Sequence, residues 1–552
     1  MADRLPPPSF PSERAASLTA DELRRTLDDG GELALLDVRD HGVYARGHLL
    51  LASSAPFWRL ELDIHALVPR PATRIVVLAD DALAEQAAHK LGRLGYSDVR
   101  VLEGGNAAWT AAGGHLFSGT NVLGKAFGEI IEHDLGTPYI DAAELKRRLD
   151  RQDKLVVIDS RTTEEFQAFS LDGAHSLPGA EIVYRISQVV PDDQTPIIVN
   201  CAGRTRSIVG AQTLINAGIP NPVLSLKDGT MAWLMNGDTL RHGARQAIAA
   251  PRGQALALAQ ARAARVAERA GVRAIDATTL ARLEARQDRS LFRFDIRHRT
   301  EYLAGHLPGW RWAPGGQLVQ ASDEYIGVRN AEVVLADWDG VRAQTTAAWL
   351  AQLGWTVYTY APGQLAQLET GPEPRTLGNA YRSATPWVSP DQARQWQADH
   401  ETLLIDIEDS IAHARQHVAG ARFVAPSRLR AYLDAHASGR RVILVSADGI
   451  LAASAARELG WQGLDDIHAL QGGTAQWVAL DLPTAAGKSD ILTGDDDTWH
   501  GPYVFDTLEQ RNAKFNDYLQ WEVELAPRLA QEPGLAISLK ASVSSRATAR
   551  PA

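Results

Sequence analysis

The residue best suited to chemistry in this sequence is its single cysteine, Cys201. It follows the apolar run at residues 197–199 and precedes a segment that has apolar residues at helical spacing from Ile208 onward. Cys201 is therefore expected where a buried strand gives way to a helix. A free cysteine is more often a small buried apolar residue than a nucleophile. Here, however, the unpaired amide groups of the first helical turn should lower the pKa of the thiol and favour the thiolate.

The residues after the cysteine form a candidate anion-binding loop. Backbone N–H groups that converge at the start of a helix can hold an anion. Arg204 and Arg206 add guanidinium groups, which suit planar anions, although a loop arginine can equally pair with a nearby carboxylate. We expect Cys201 to act as the nucleophile and the two arginines as anion clamps. The predicted substrate-binding residues are Ala202, Gly203, Arg204, Thr205, Arg206 and Ser207.

Length and composition describe a multidomain globular protein. At 552 residues the chain is too long for one core, and about three to five domains are expected. No stretch approaches the roughly 18 apolar residues that cross a bilayer, and the first residues do not resemble a secretory signal. The net charge of −11 disfavours nonspecific nucleic-acid binding, and one cysteine cannot form an internal disulfide. We therefore expect a cytoplasmic protein with no nucleic-acid or membrane partner.

Four segments of the chain repeat one order of parts. Each has a short apolar strand that ends in an acidic residue, namely Asp37, Asp159, Asp295 and Asp406. A second apolar strand follows, then a helix and a last strand, and three copies close on a glycine turn that leads to a tryptophan: Trp109, Trp233 and Trp477. Strands that alternate with helices predict an α/β fold of four tandem domains, each a mainly parallel sheet flanked by helices.

The expected domain boundaries follow shifts in composition. Domains are predicted at residues 15–115, 134–236, 271–369 and 387–484, with a C-terminal tail at 485–552. The joining segments are expected to be a glycine-rich stretch at 113–136, an exposed helix within 237–271 and a loop at 370–386. The tail is expected to hold a helix around residues 519–525 and to end in a disordered Ser/Arg/Ala-rich segment.

In this order the motifs resemble those of the rhodanese family of sulfurtransferases, over most of residues 15–484. They are the Asp-x-Arg after the first strand, the aromatic/His/Pro-Gly segment, the cysteine loop and the Gly-Gly-x-x-x-Trp ending. The resemblance implies that Cys201 accepts a sulfane sulfur from a donor such as thiosulfate or a persulfide. The resulting cysteine persulfide would pass the sulfur to a thiophilic acceptor, cyanide or a thiol.

The resemblance extends unevenly to the four domains. Only the second has a cysteine, while the corresponding loops of the first, third and fourth carry Asp80, Asp337 and Asp448. Acidic residues oppose an anionic substrate, so these three domains are expected to be inactive. Asp159 and Arg161 recur in domains without the nucleophile and are expected to form a structural contact. Trp233 recurs in the same way and is expected to lie in the core.

Alternatives remain for the activity. A Cys-x5-Arg phosphatase loop would place arginine where this chain has Ser207, so the loop is one residue too short, although some rhodanese-like enzymes act on phosphate or arsenate. A noncatalytic sulfur-relay or assembly platform is the other rival. His413 and His417 have a zinc-like spacing but lack the His-Glu-x-x-His glutamate, and we expect them at the surface. We predict no metal and no cofactor; the physiological donor and the oligomeric state stay open.

Overall fold

Four α/β domains follow one another along the chain, as the sequence predicts. The computed structural model describes residues 14–363, 368–373, 385–398, 401–494, 496–529 and 532–540. Within these residues each domain has one five-stranded sheet, and its strands pair in parallel. The strand order is the same in all four domains, which makes them repeats of one unit.

Domain 1 shows the arrangement that the others repeat. The sheet order is β1-β5-β4-β2-β3, so the second apolar strand of the sequence, β4, lies at the centre. Its strands are β1 (Ala16–Leu18), β2 (Ala34–Asp37), β3 (Ser53–Ser54), β4 (Arg74–Leu78) and β5 (Asp98–Leu102). Its helices are α1 (Ala20–Asp28), α2 (His41–Arg46), α3 (Leu60–Leu67), α4 (Asp81–Arg93) and α5 (Gly105–Ala111).

Domain 2 contains the cysteine and is preceded by an additional helix, α6 (Val122–Leu135). Its strands are β6 (Tyr139–Ile140), β7 (Val156–Asp159), β8 (His175–Ser176), β9 (Ile197–Asn200) and β10 (Val223–Leu226). Its helices are α7 (Ala142–Asp150), α8 (Thr163–Ala168), α9 (Glu181–Arg185), α10 (Thr205–Asn216) and α11 (Gly229–Met235), with a 3₁₀ turn at Ile186–Gln188. The central strand is β9, and Cys201 is the residue that follows it.

Domain 3 is joined to domain 2 through helix α12 (Gly253–Arg269). Its strands are β11 (Arg273–Ile275), β12 (Leu291–Asp295), β13 (Arg311–Trp312), β14 (Glu332–Ala336) and β15 (Thr356–Tyr360). Its helices are α13 (Ala277–Glu284), α14 (Arg299–Ala304), α15 (Gly315–Gln320), α16 (Ser322–Tyr325) and α17 (Arg342–Gln352).

Domain 4 and the tail complete the chain. The strands are β16 (Trp387–Val388), β17 (Thr402–Asp406), β18 (His417–Val418), β19 (Arg422–Phe423), β20 (Arg441–Val445), β21 (Ile467–Leu470) and β22 (Thr484–Ala485). Strands β18 and β22 form a separate antiparallel pair. The helices are α18 (Pro390–Gln397), α19 (Ser410–Arg415), α20 (Pro426–His436), α21 (Ile450–Trp461), α22 (Gly473–Ala479) and, in the tail, α23 (Leu508–Leu529).

The chain divides into two compact units. One carries domains 1 and 4, and the other carries domains 2 and 3 together with the residues from Pro502 onward. The tail helix α23 therefore belongs to the same unit as the cysteine loop. Among the described residues, none of the helices combines the length and the apolarity that crossing a bilayer requires.

Two of the joining segments differ from expectation. The stretch at 113–136 contains α6, whose residues Val122 to Gly128 are buried, because the helix packs against α10 and α23. Helix α12 is amphipathic rather than exposed, with Ala259, Ala263 and Val266 buried in the core shared by domains 2 and 3. Residues 374–384 of the third joining segment and the Ser/Arg/Ala-rich end at 541–552 lie outside the described residues.

A buried ion pair fixes the end of strands β2, β7 and β12 in domains 1 to 3. In domain 2, Arg161 donates from Nε and Nη2 to the Asp159 carboxylate at 3.0 and 2.8 Å, and both side chains are fully buried. Domains 1 and 3 repeat the pair as Arg39 with Asp37 and Arg297 with Asp295. Trp233 is also buried, in the core on the opposite side from α10.

Domain 4 replaces this pair with a histidine. Glu408 stands where the other domains have arginine, and His413 Nδ1 lies 2.9 Å from Asp406 Oδ2. His413 and His417 are stacked 3.7 Å apart and almost completely buried. The expectation that they are surface histidines is therefore wrong, because the buried Asp406 needs a partner that Glu408 cannot provide.

Replacing Arg161 by methionine should lower the free energy of unfolding by about 3–5 kcal/mol, because the substitution leaves the Asp159 carboxylate buried without its counter-ion. Calorimetry of the full chain measures the change. Arg151→Met removes an exposed partner of Asp153 and is the matched control, for which little change is expected. Equal destabilisation by both substitutions would contradict a structural role for the Asp159–Arg161 pair.

Candidate active site

The cysteine loop joins the carboxyl end of β9 to the first turn of α10. Every residue of β9 is buried, and Asn200 at its end donates from Nδ2 to Asp159 Oδ2 at 3.0 Å. This contact ties the loop to the neighbouring strand β7. Ligands of parallel sheets bind at this edge, where the carboxyl ends of adjacent strands meet.

The carbonyl oxygens of the loop are turned towards α11. Thr230 N donates to Cys201 O at 2.9 Å, and Met231 N donates to Ala202 O at 3.1 Å. This approach requires Gly229, whose φ is +51° and whose Cβ would lie 2.3 Å from Cys201 O. On the side of the thiol, the backbone N–H and the hydroxyl of Ser207 hydrogen-bond to the Cys201 side chain.

In domain 3, the loop that corresponds to the cysteine loop holds the side chain of an aspartate. Asp337 occupies the position of Cys201, and its carboxylate accepts hydrogen bonds from three backbone amides. They come from Gly340 N at 2.8 Å, Val341 N at 3.1 Å and Ala343 N at 2.7 Å. In domain 2 the same positions are Arg204, Thr205 and Ser207. We refer to these three N–H groups as the amide cradle.

Arg204 does not face an open site. Its Nε and Nη2 donate to Glu129 of α6 at 2.8 Å each, Nη1 donates to Asp228 at 2.8 Å, and Nη2 also reaches Glu132. The side chain is 6 % exposed. These contacts favour a role in holding the loop against α6 rather than the anion-clamp role expected from sequence.

Arg206 has a different environment. It donates to both oxygens of Glu165 at 2.6 and 2.8 Å and to Gln317 Oε1 of domain 3 at 3.0 Å. Glu165 is itself fixed by a capping box with Thr162 at the start of α8. Burial alone would raise the pKa of Glu165, but the Arg206 charge lowers it to about 2. Arg206 is thus a fixed cation beside the cysteine loop.

The corresponding arginine of domain 3 is more completely neutralised. Arg342 donates to Glu181 of domain 2 at 2.6 Å, to Glu301 at 2.6 Å and to Asp339 at 2.7 Å. Glu181 and Gln317 occupy equivalent positions, two residues after Gly179 and Gly315. Arg342 therefore meets three carboxylates, whereas Arg206 donates to one carboxylate and one neutral amide, so more of the Arg206 charge acts on its loop.

The C-terminal tail covers the cysteine loop. Phe515 and Leu519 of α23 pack with Met231 of α11 in a buried apolar cluster. Tyr503 OH lies 2.6 Å from Thr230 Oγ1 and donates to Ala202 O at 3.1 Å. Cys201 is consequently only 2 % exposed.

This cover changes the ionisation of the cysteine. Burial raises the pKa of Cys201, while the Arg206 charge and hydrogen bonds from Ser207 act in the opposite direction. The carboxylate of Glu522 on α23 adds to the increase. The expected lowered thiol pKa is therefore wrong, because burial of the thiol outweighs the effect of Arg206 and Ser207.

Several residues around the loop were missed by sequence reasoning. They are Glu129 and Glu132 on α6, Gln317 in domain 3, and Tyr503, Tyr518 and Glu522 in the tail. A signal exists for the last group, since Phe515, Leu519 and Glu522 share one face of α23 and place an acid in its apolar stripe. Within the described residues, His, Cys, Asp and Glu form no group of three that could hold a metal ion.

Comparison with known proteins agrees with this geometry. The model of the Rhodanese-like domain matches residues 19–112, 141–236, 279–365 and 389–480. The chain belongs to the rhodanese family and contains four copies of its domain. Each matched range contains four of the five strands of one sheet, and the first strand of each sheet lies just before the range.

Relatives of two sizes are found. A crystal structure described as thiosulfate sulfurtransferase from Pseudomonas aeruginosa is 40 % identical, with a TM-score of 0.89, over 95 % of this chain and 99 % of that one. The thiosulfate sulfurtransferase GlpE of Pseudomonas putida is 27 % identical over 104 residues, which are 19 % of this chain and 94 % of GlpE. GlpE of Pseudomonas paraeruginosa is 28 % identical over the same length. The four-domain organisation is thus shared with the first protein, and GlpE corresponds to one domain.

Gln317→Glu should raise the pKa of Cys201 by roughly one unit, because it gives Arg206 a second carboxylate, as Arg342 has in domain 3. The pH dependence of Cys201 alkylation by iodoacetamide, followed on the intact protein, measures this pKa. Gln188→Glu introduces the same charge at an exposed position of domain 2 and should leave the pKa unchanged. An unaltered Cys201 pKa in Gln317→Glu would show that domain 3 does not tune the site.

Proposed function

We propose that the protein is a rhodanese-type sulfurtransferase in which Cys201 carries the sulfur as a persulfide. The observation that supports this proposal is the amide cradle, whose counterpart in domain 3 holds the Asp337 carboxylate. A cysteine persulfide places its outer, negatively charged sulfur about as far from the backbone as an aspartate carboxylate. Backbone N–H groups fixed in advance stabilise such a charge without reorganisation.

The reaction consists of two displacements. The Cys201 thiolate attacks the outer sulfur of a donor such as thiosulfate, so that a new S–S bond forms and the donor's S–S bond breaks. Its electron pair leaves with sulfite. A thiophilic acceptor, cyanide or a thiol, then attacks the outer sulfur of the persulfide, and Cys201 leaves as a thiolate. Each step exchanges one bond at sulfur, and the enzyme returns to its starting state.

The residues of the loop have distinct parts in this scheme. The N–H groups of Arg204, Thr205 and Ser207 stabilise the persulfide anion, and the Ser207 donors also lower the pKa of Cys201. Arg206 lowers the same pKa through its charge. The side chain of Arg204 holds the loop on α6, and Ala202 and Gly203 form the part of the loop that the tail contacts.

The identity of the substrates rests on similarity. The relatives at 40 % and 27 % identity are described as thiosulfate sulfurtransferases, and we extend thiosulfate to this chain as a candidate donor. Domains 1, 3 and 4 have no thiol at the position of Cys201, since the chain has one cysteine. We propose that they support the active domain rather than transfer sulfur.

Cys201→Ser should abolish sulfur transfer from thiosulfate to cyanide while leaving the thermal unfolding midpoint unchanged, because serine cannot form a persulfide. Thiocyanate formation measures turnover, and intact-protein mass spectrometry measures one added sulfur atom. The control is Asp80→Asn, which changes the loop of domain 1 and should leave turnover unchanged. Transfer by Cys201→Ser would refute the assignment of the site.

Measurements of persulfide formation, sulfur turnover and phosphate hydrolysis together separate the rival functions. A stable persulfide on Cys201 without turnover would favour a sulfur-relay protein over an enzyme. Vanadate-sensitive hydrolysis of an aryl phosphate would favour a phosphatase. The sulfurtransferase proposal predicts turnover with both acceptor classes and no phosphate hydrolysis.

A further inference from the structure

A second charged group faces the cysteine loop from the tail. Glu522 of α23 is 2 % exposed, and its Oε2 lies 3.1 Å from the position that a Cβ on Gly203 would take. Tyr518 Cε1 and Leu519 Cδ2 lie 3.4 and 3.8 Å from the same point. A group that approaches Cys201 across Gly203 therefore meets the Glu522 carboxyl.

One oxygen of this carboxyl lacks a donor. Oε1 accepts hydrogen bonds from Tyr518 OH at 3.0 Å and from Thr205 Oγ1 at 3.3 Å. Oε2 is buried, and among the described residues it has no hydrogen-bond partner. A buried acceptor without a donor costs free energy, so a ligand that brings a hydrogen-bond donor to Oε2 would be stabilised there.

The charges that face Glu522 come from three elements. They are Lys125 and Glu129 on α6, Tyr518 on α23 itself, and Cys201 and Arg204 on the loop before α10. The Arg206 charge acts on Tyr518 and Lys125. Burial raises the pKa of Glu522 to about 7, Glu129 adds to the rise, and Lys125 and Arg204 oppose it. Burial also lowers the pKa of Lys125 to about 8. The charge over the loop therefore changes within the neutral range.

We propose that Glu522 is a specificity-determining residue for reaction at Cys201. Its carboxylate disfavours doubly negative sulfur donors and favours donors that carry a hydrogen-bond donor or an ammonium group beside the sulfur. The part of this inference that concerns sulfur donors rests on the proposed sulfurtransferase function. The effect of the Glu522 charge on Cys201 can be measured without sulfur transfer. Thiosulfate represents the first class of donor. Cysteine persulfide, which carries an ammonium group near the sulfur, represents the second.

The first experiment compares two alkylating agents of similar size, iodoacetate, which is negatively charged, and iodoacetamide, which is neutral. Both reagents react with the thiolate, so the ionisation of Cys201 affects both rate constants equally. The rate constant for iodoacetate divided by that for iodoacetamide therefore reports the charge near the thiolate. From about pH 5.5 to about pH 7.5 the ratio should fall roughly tenfold in the native protein as Glu522 ionises, and stay nearly constant in Glu522→Gln. Lys125 keeps its proton over most of this range.

The matched control is Glu524→Gln. Glu524 lies two residues further along α23, is exposed and accepts a hydrogen bond from Gln520. This control should reproduce the native ratio at every pH. A ratio that does not change with pH in the native protein, or that changes equally in Glu522→Gln and Glu524→Gln, would overturn the proposal.

The second experiment compares donors. At about pH 8, Glu522→Gln should raise kcat/KM for thiosulfate relative to that for cysteine persulfide by roughly tenfold, and Glu524→Gln should leave the relative value unchanged. An unchanged relative value in Glu522→Gln would refute the role in specificity while sulfur transfer itself stands. If neither donor adds sulfur to Cys201 in the native protein, the proposed function fails, and the alkylation ratio still decides whether Glu522 controls the charge at the site.

Discussion

The site depends on one interaction, in which a polar side chain at the end of a buried central strand accepts hydrogen bonds from backbone N–H groups at the start of the next helix. Domain 3 forms it with its own Asp337, which accepts from three loop amides. Domain 2 has Cys201 at the same point, and the carbonyl oxygens of Cys201 and Ala202 accept hydrogen bonds from the backbone of α11. One scaffold thus produces a self-occupied loop in domain 3 and, in our proposal, a loop that receives a charged sulfur in domain 2.

What separates the two loops is the balance of charge around them. Arg342 is surrounded by the carboxylates of Glu181, Glu301 and Asp339, so little of its charge is left for a ligand. Arg206 is bound by Glu165 and by the neutral Gln317, and its charge acts on Cys201. The tail opposes this effect through burial and Glu522. The pKa of Cys201 is therefore set by a competition in which Arg206 and the Ser207 hydrogen bonds lower it and burial and Glu522 raise it.

Local sequence predicted the parts of the site that local geometry determines. The apolar run before Cys201 and the helical spacing after it indicated β9 and α10, and the repeated motifs indicated four domains with parallel sheets. The residues that arrive from elsewhere could not be predicted. Arg204 and Arg206 were both expected to be anion clamps, but Arg204 pairs with Glu129 on α6, and Arg206 pairs with Glu165 on α8 and with Gln317 in domain 3. The raised pKa of Cys201 has the same origin, because the tail that buries the thiol is about 300 residues away along the chain.

The account is tested most directly by a crystal structure of the protein after reaction with a sulfur donor. It predicts one additional sulfur on Cys201 whose outer atom accepts hydrogen bonds from the N–H groups of Arg204, Thr205 and Ser207, as the Asp337 carboxylate does in domain 3. An added sulfur that points away from these amides, or an unmodified cysteine in a fully exposed loop, would contradict it.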